Sequence, residues 1–156
     1  MSSGLTVWER IAHLTNRFYL RMRAPQAWQA QSSSEHGFES LRGYKNALLY
    51  TFRRSGEAVP TPVWFGLADG KLYFRTYADT AKLKRIRRDS RVRVGPCDIR
   101  GRPSGPVVEG HARLLEADGE PGAEAAIRSN YGFFRRLYLA GFSGRVPDTY
   151  VEVTPG

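Results

Sequence analysis

The chain has 156 residues, 41% hydrophobic and 12% aromatic, which is enough for one domain with a buried core. It carries 24 Lys and Arg against 15 Asp and Glu, and the formal charge of +9 favours anionic partners such as nucleic acid, acidic lipid or a polyanionic cofactor. The single cysteine, Cys97, excludes a disulfide within the chain and argues against a cysteine-based metal site, so no metal is expected. With no apolar run of about 20 residues and no secretory signal pattern, the sequence predicts a cytoplasmic protein.

Residues 5–23 predict an amphipathic helix, because Trp8, Ile11 and Phe18 recur at helical spacing. Its apolar stripe fits packing on the rest of the protein or across a dimer. Its aromatic and arginine content equally fits peripheral contact with a membrane surface. An irregular extension follows, so we divide the chain into a helix and extension over 1–43 and a second region over 44–156.

The pattern changes at Asn46, where short runs rich in β-branched and aromatic residues begin. NALLYTFR, PVWFGL and KLYFRT predict three antiparallel strands, separated by the hairpin signals Ser55-Gly56 and Asp69-Gly70. Asp79 is placed to cap a helix running through Lys82 and Arg87.

The rest of the chain continues this arrangement. RVRVGPC and PVVEGHARLLE predict two more strands, and the last third predicts helices around residues 123–131 and 133–140 and a closing strand over 149–153. Several short strands, one crossover helix and no βαβ alternation indicate a mainly β (α+β) barrel with peripheral helices rather than a Rossmann sheet.

Four segments carry a resemblance to a known family: TPVWF, LYFRT, DTAKLKRIRR with the following RVRVGPCDIRGRPSGP, and VVEGHARLL. Together they resemble the flavin and deazaflavin oxidoreductases of the split β-barrel fold, related to pyridoxamine-phosphate oxidase. Within that group the chain is most similar to the actinobacterial branch that uses the deazaflavin coenzyme F-420, an 8-hydroxy-5-deazaflavin. The resemblance runs from about Lys45 to the C-terminus.

The resemblance implies an enzyme that is a homodimer with two cofactor sites at the subunit interface. It would transfer a hydride from the reduced coenzyme to an electron-poor unsaturated small molecule. The cofactor supplies most of that chemistry, so no catalytic side chain is assigned. Solvent or a pocket tyrosine such as Tyr131 could supply the proton.

The coenzyme has a phosphodiester and a tail of glutamates, which call for fixed cations beside an apolar slot for a flat ring. By position, the family's phosphate site and the first part of its tail site correspond to a cluster at the start of the basic helix. These residues are Thr76, Thr80, Lys82, Lys84 and Arg85. The family's ring-contacting strand corresponds to Thr61, Pro62, Val63 and Trp64. The remainder of the tail would follow Arg88 and Arg102.

One departure from the family bears on the choice of cofactor. Pyridoxamine-phosphate oxidases set an Arg-Lys pair against the terminal phosphate of FMN, and Thr80 stands where the arginine is expected. A dianionic phosphate would lose a bidentate partner, which favours the deazaflavin and leaves FMN as the alternative.

Two other functions remain open. A non-catalytic carrier of the same coenzyme would show the same binding residues. A nucleic-acid-binding barrel would use the basic helix on phosphates, but no run of stacking aromatic residues accompanies those cations, so we expect no nucleic-acid partner.

Overall fold

The computed structural model describes residues 37–132 and 148–156. The predicted N-terminal helix and the predicted helix over 133–140 lie outside the described residues. The elements in chain order are a 3-10 helix (Glu39–Leu41), β1 (Asn46–Phe52), β2 (Ala58–Val63), β3 (Phe65–Ala68), β4 (Lys71–Tyr77), α1 (Ala81–Arg88), β5 (Arg91–Cys97), β6 (Val108–Leu114), α2 (Glu120–Tyr131) and β7 (Asp148–Pro155).

The seven strands form one antiparallel sheet in the order β2-β1-β5-β6-β7-β4-β3. Its two edge strands, β2 and β3, are separated in the chain by Trp64 alone. Because neighbouring Cα atoms are about 3.8 Å apart, the two edges have to meet, and the sheet must curl into a barrel. The fold is therefore mainly β, a curled antiparallel barrel with two helices, consistent with the predicted split barrel.

The barrel interior holds the main apolar cluster. Alternate residues of the strands, such as Leu49, Phe74 and Val94, point into it, as the period of two requires. Leu83 and Ile86 of α1 join the same cluster, so this amphipathic helix closes one end of the barrel.

The chain before β1 also contributes to this core. Phe38 and Leu41 are buried in the main cluster although they precede residue 44. The end of the predicted extension therefore packs with the barrel, and the division at residue 43 stays a prediction.

Helix α2 packs outside the barrel against the backbone of β3. A Cβ atom on Gly66 would lie 2.1 Å from the carbonyl oxygen of Ala126, so only glycine permits this approach. On the same side, Ala123 and Ile127 of α2 pack with Tyr150 of β7.

Two local predictions have different outcomes. The Asp69-Gly70 turn between β3 and β4 is confirmed: both residues have positive φ, 53° and 74°, as a tight hairpin turn requires. The predicted cap of α1 is wrong. Thr80 is the N-cap residue, and Asp79 pairs with Lys84 instead, with 3.5 Å between carboxylate and ammonium.

None of the three helices in the described part of the chain has the length and apolar character needed to cross a membrane.

Candidate functional site

The two edges of the curled sheet meet along one line. Along one half of that line, no ladder of backbone hydrogen bonds joins the two sides. Among the described strands, β2 pairs only with β1 and β3 only with β4, and the β3–β4 ladder ends at Phe65 opposite Phe74. Beyond that pair, no ladder among the described strands joins residues 60–64 to residues 75–77. We call this unzipped stretch the open seam.

Three of the predicted site residues meet where α1 begins, at the end of β4 and thus at the mouth of the open seam. The Lys82 ammonium donates a hydrogen bond of 2.9 Å to Oγ1 of Thr76. Lys82 is only 8% exposed and is the one buried cation among the described residues. Burying an ammonium is costly unless polar or anionic groups surround it, so Lys82 contributes a fixed positive charge close to the start of α1.

Thr80 has the most unusual environment of the predicted residues. Its side chain is 4% exposed, and its hydroxyl has no hydrogen-bond partner among residues 37–132 and 148–156. Thr80 is the N-cap residue of α1, yet its hydroxyl makes no capping bond. A buried polar atom without a partner is rare and costs stability, which marks this helix start as a place where a ligand could supply the partner.

Arginines gather farther along α1, beside the hairpin that joins β1 to β2. The Arg85 Nε donates a hydrogen bond of 2.7 Å to Oγ1 of Thr51, and the Arg88 guanidinium donates to the Phe52 carbonyl. Burial, and then the neighbouring charges of Arg53 and Arg88, lower the pKa of Arg85. Arg53, which also pairs with Glu57 at 3.5 Å, and Arg88 both act on the charge of Arg85, and we call these three arginines the cationic rim (Arg53, Arg85 and Arg88). Such a group of cations suits a multiply charged anion.

The remaining predicted residues are less closely grouped. Lys84 is exposed, with 71% of its side chain accessible, and it pairs with Asp79. Val63 belongs to the interior cluster, and Thr61 lies on the same inner face of β2. Pro62 and Trp64 lie on the opposite face and are half-buried. Arg102 lies in the β5–β6 connection, where it pairs with Asp98.

The other half of the line is closed by side chains. The hydroxyl of Tyr131 accepts a hydrogen bond from the N–H of Phe65 at 2.8 Å and donates one to the carbonyl of Lys45 at 2.5 Å. The amide of Asn130 donates to the carbonyls of Phe65 and Tyr44 at 3.0 and 3.1 Å. We call this stretch, Phe65 facing Tyr44 and Lys45, the sealed seam.

The sealed seam changes the interpretation of Tyr131. Its hydroxyl hydrogen is used by the Lys45 carbonyl, so the proposed role as a proton donor does not agree with its geometry. Its ring instead stacks on Trp64, with centroids 4.9 Å apart and an angle of 21° between the planes. No sequence pattern predicts the bridging role of Asn130, because Asn130 is 65 residues from Phe65 in the chain.

The one cysteine of the sequence, Cys97, is buried and free. Burial, followed by the charge of Asp98, raises the pKa of Cys97 to about 12, so the thiol stays protonated and packs as a small apolar group. Residues 37–132 and 148–156 contain no group of three His, Cys, Asp or Glu side chains that could hold a metal ion.

No protein-family model and no curated protein matches the sequence. Solved structures with the same fold do match. A FAD-binding protein from Mesorhizobium loti aligns at 16% identity over 75% of this chain and 83% of its own, with a TM-score of 0.54. A putative pyridoxamine 5'-phosphate oxidase from Listeria innocua aligns at 18% over 74% and 86%, with a TM-score of 0.50. The haem storage protein HutZ from Vibrio cholerae aligns at 13% over 76% and 86%, with a TM-score of 0.58.

These similarities establish a fold shared with a FAD-binding protein, a putative pyridoxamine 5'-phosphate oxidase and a haem storage protein. At such low identity the fold alone carries over. The ligand of this chain has to be argued from its own residues.

Proposed function

We propose that this protein is an oxidoreductase that binds coenzyme F-420 at the open seam and reduces an electron-poor unsaturated small molecule. The observation that carries the proposal is the start of α1, where a buried hydroxyl without a partner lies one residue from the N-terminus of the helix and two from a buried ammonium. Backbone N–H groups and the positive end of the helix dipole add to the attraction for an anion there.

The residues present fit a phosphodiester. Thr80 would donate to it, Lys82 would balance its single negative charge, and the first N–H groups of α1 would bind its remaining oxygen atoms. Buried polar groups are stabilised when they gain partners, so ligand binding would offset the cost that the Thr80 hydroxyl now imposes.

The distribution of cations favours the deazaflavin over FMN. A terminal phosphate with two charges would need a second strong cation beside Lys82, and the described residues bury none. The cationic rim of Arg53, Arg85 and Arg88 instead offers several positive charges farther along α1, where a tail of glutamates could lie. FMN remains the alternative ligand.

When bound, the reduced coenzyme supplies the hydride. The chain's own residues would hold the anionic arm at the α1 start and orient the ring along residues 61–64. The stacked pair of Trp64 and Tyr131 marks the far end of the open seam. We also propose that the protein is a homodimer, in which the partner subunit would complete the pocket around the acceptor.

Binding is tested by titrating the apoprotein with coenzyme F-420 and with FMN, following fluorescence. We expect tighter binding of the deazaflavin, and a loss of affinity of about tenfold or more in Lys82→Met. Arg87→Met is the matched control, because Arg87 is an exposed cation of the same helix, and its loss should change affinity by less than about threefold.

Equal losses in the two variants would show that only net charge matters and would contradict the assigned site. Binding of FMN without the deazaflavin would reverse the choice of cofactor. Binding without any turnover of unsaturated acceptors would favour a carrier over an enzyme.

A further inference from the structure

The start of α1 carries an acid as well as cations. Asp79 directly precedes the N-cap residue Thr80, and its carboxylate lies 3.5 Å from the ammonium of Lys84. Both side chains of this pair are largely exposed, 80% for Asp79 and 71% for Lys84. A negative charge of the chain itself therefore stands at the helix start to which the proposed function assigns an anionic group.

The charges around this helix start determine how much negative charge it can balance. In the run from Asp79 to Lys84, the cations are Lys82 and Lys84 and the acid is Asp79, so one net positive charge remains. Nearby, Arg75 of β4 and Asp148 of β7 form an ion pair and add no net charge. One positive charge balances one negative charge, and a group with two negative charges lacks a cation.

An acid before a helix N-terminus has two opposite effects. Without a ligand it stabilises the helix, because the helix dipole is positive at that end. A phosphate that accepts a hydrogen bond from the hydroxyl of Thr80 would be attracted by the same dipole and repelled by the adjacent Asp79. Repulsion between charges is proportional to each of them, so a dianion there loses about twice as much binding free energy as a monoanion.

We propose that Asp79 is a specificity-determining residue, which makes the start of α1 select a phosphodiester with one charge over a terminal phosphate with two. The inference rests on the proposed function, and it names the residue that separates the two candidate cofactors. Thr80 already occupies the N-cap position, so Asp79 is free for this role. The discrimination comes from repulsion of the wrong ligand and not from an extra contact with the right one.

The experiment compares two ligands that differ only in the charge of the phosphate. Coenzyme F-420 and FMN are titrated first to find which ring binds. The 5'-phosphate of that ring, flavin or deazaflavin, is then compared with its methyl phosphodiester at about pH 8, where the monoester carries two charges and the diester one. Dissociation constants are measured for the wild type, for Asp79→Asn and for Asp89→Asn.

We expect the wild type to bind the diester about threefold or more tightly than the monoester. Asp79→Asn should strengthen binding of the diester by about threefold and of the monoester by about tenfold, so that the preference disappears. Asp89→Asn is the matched control, because Asp89 is the acid at the opposite end of the same helix, where it pairs with Arg91. This variant should change neither affinity by more than about twofold.

Equal affinity of the wild type for the two esters would overturn the inference and leave the proposed function intact. A preference that persists in Asp79→Asn, or that disappears equally in Asp89→Asn, would overturn it as well. If neither coenzyme F-420 nor FMN binds, the proposed function fails and the inference fails with it. Because Asp79 is exposed, Asp79→Asn should melt with the wild type, and Asp79→Ser repeats the comparison if it does not.

Discussion

The sealed and open seams are two halves of the line along which one barrel meets itself, yet they are built in opposite ways. In the sealed seam, Asn130 and Tyr131 supply the donors and acceptor that a missing strand would have supplied. In the open seam, Pro60 and Pro62 remove donors, and the buried hydroxyl of Thr80 has no partner. Polar groups with hydrogen-bond partners stabilise a fold, whereas a ligand can contribute most where such partners are missing. We therefore expect substitutions in the sealed seam to act mainly on stability and substitutions in the open seam to act mainly on ligand binding.

The largest expected effect on stability comes from a substitution at Gly66, where α2 packs against β3 beside the sealed seam. Gly66→Ala would place a methyl group against the backbone of Ala126, so α2 could not dock and Asn130 could not reach Phe65. We expect a loss of about 3 kcal/mol or more, measured by urea unfolding. Gly122→Ala in the same helix meets no atom within 4 Å and should stabilise by up to about 1 kcal/mol. Similar effects of both variants would disprove the close-packing argument.

Removing one bridge of the sealed seam should have the next largest effect. Tyr131→Phe keeps the ring that stacks on Trp64 but loses two backbone hydrogen bonds, which should cost about 2 kcal/mol in unfolding experiments. Tyr44→Phe is the control, because its hydroxyl makes one long bond of 3.4 Å to Ser104. A large fall in ligand affinity without a fall in stability would reassign Tyr131 to the binding site.

Acid should also weaken the α2 side of the barrel. Burial alone would raise the pKa of Glu152, but hydrogen bonds from Arg113 and Tyr73 and the charges of Arg113 and Lys71 outweigh it and lower the pKa. A lowered pKa stabilises the fold above the ordinary value of 4.5, and this contribution is lost as the pH falls through the lowered value. Unfolding free energy should therefore decrease below about pH 4.5, and decrease less in Glu152→Gln. Parallel pH profiles of the two proteins would contradict this.

The smallest expected effect is the change in stability of Thr80→Val, and the direction of that change is informative. Thr80→Val removes a buried hydroxyl that has no partner, so without ligand it should leave stability unchanged or raise it by up to about 1 kcal/mol. Thr76→Val removes the acceptor of the Lys82 hydrogen bond and should cost about 1–2 kcal/mol. Thermal unfolding compares the two, and a clear loss of stability in Thr80→Val would mean that its hydroxyl is already satisfied.

The sequence predicted the strands and α1 well, because alternation and helical spacing are local. KLYFRT became β4 and the basic run became α1 with few changes at the ends. The break at Trp64 was missed, since the effect of Pro60 and Pro62 depends on which edge of β2 they face, and only the register with β1 shows that.

Part of the candidate site could be predicted because its residues are close together in the sequence. Thr76, Thr80 and Lys82 are close in sequence, so one turn and one helix bring them together. Arg53 was missed because it joins Arg85 only through the packing of α1 beside the β1–β2 hairpin. Asp79 was chosen as the cap on residue type, and its ion pair with Lys84 could not be foreseen from spacing alone.

The position of β7 has a consequence for how the protein is made. This strand is the last of the described strands along the sequence, yet it lies between β6 and β4 in the interior of the sheet. During synthesis the described sheet cannot be completed until Asp148–Pro155 has left the ribosome, and until then β6 and β4 each present a bare strand edge. Nascent chains stalled just short of residue 148 should therefore be the species that depends most on chaperones.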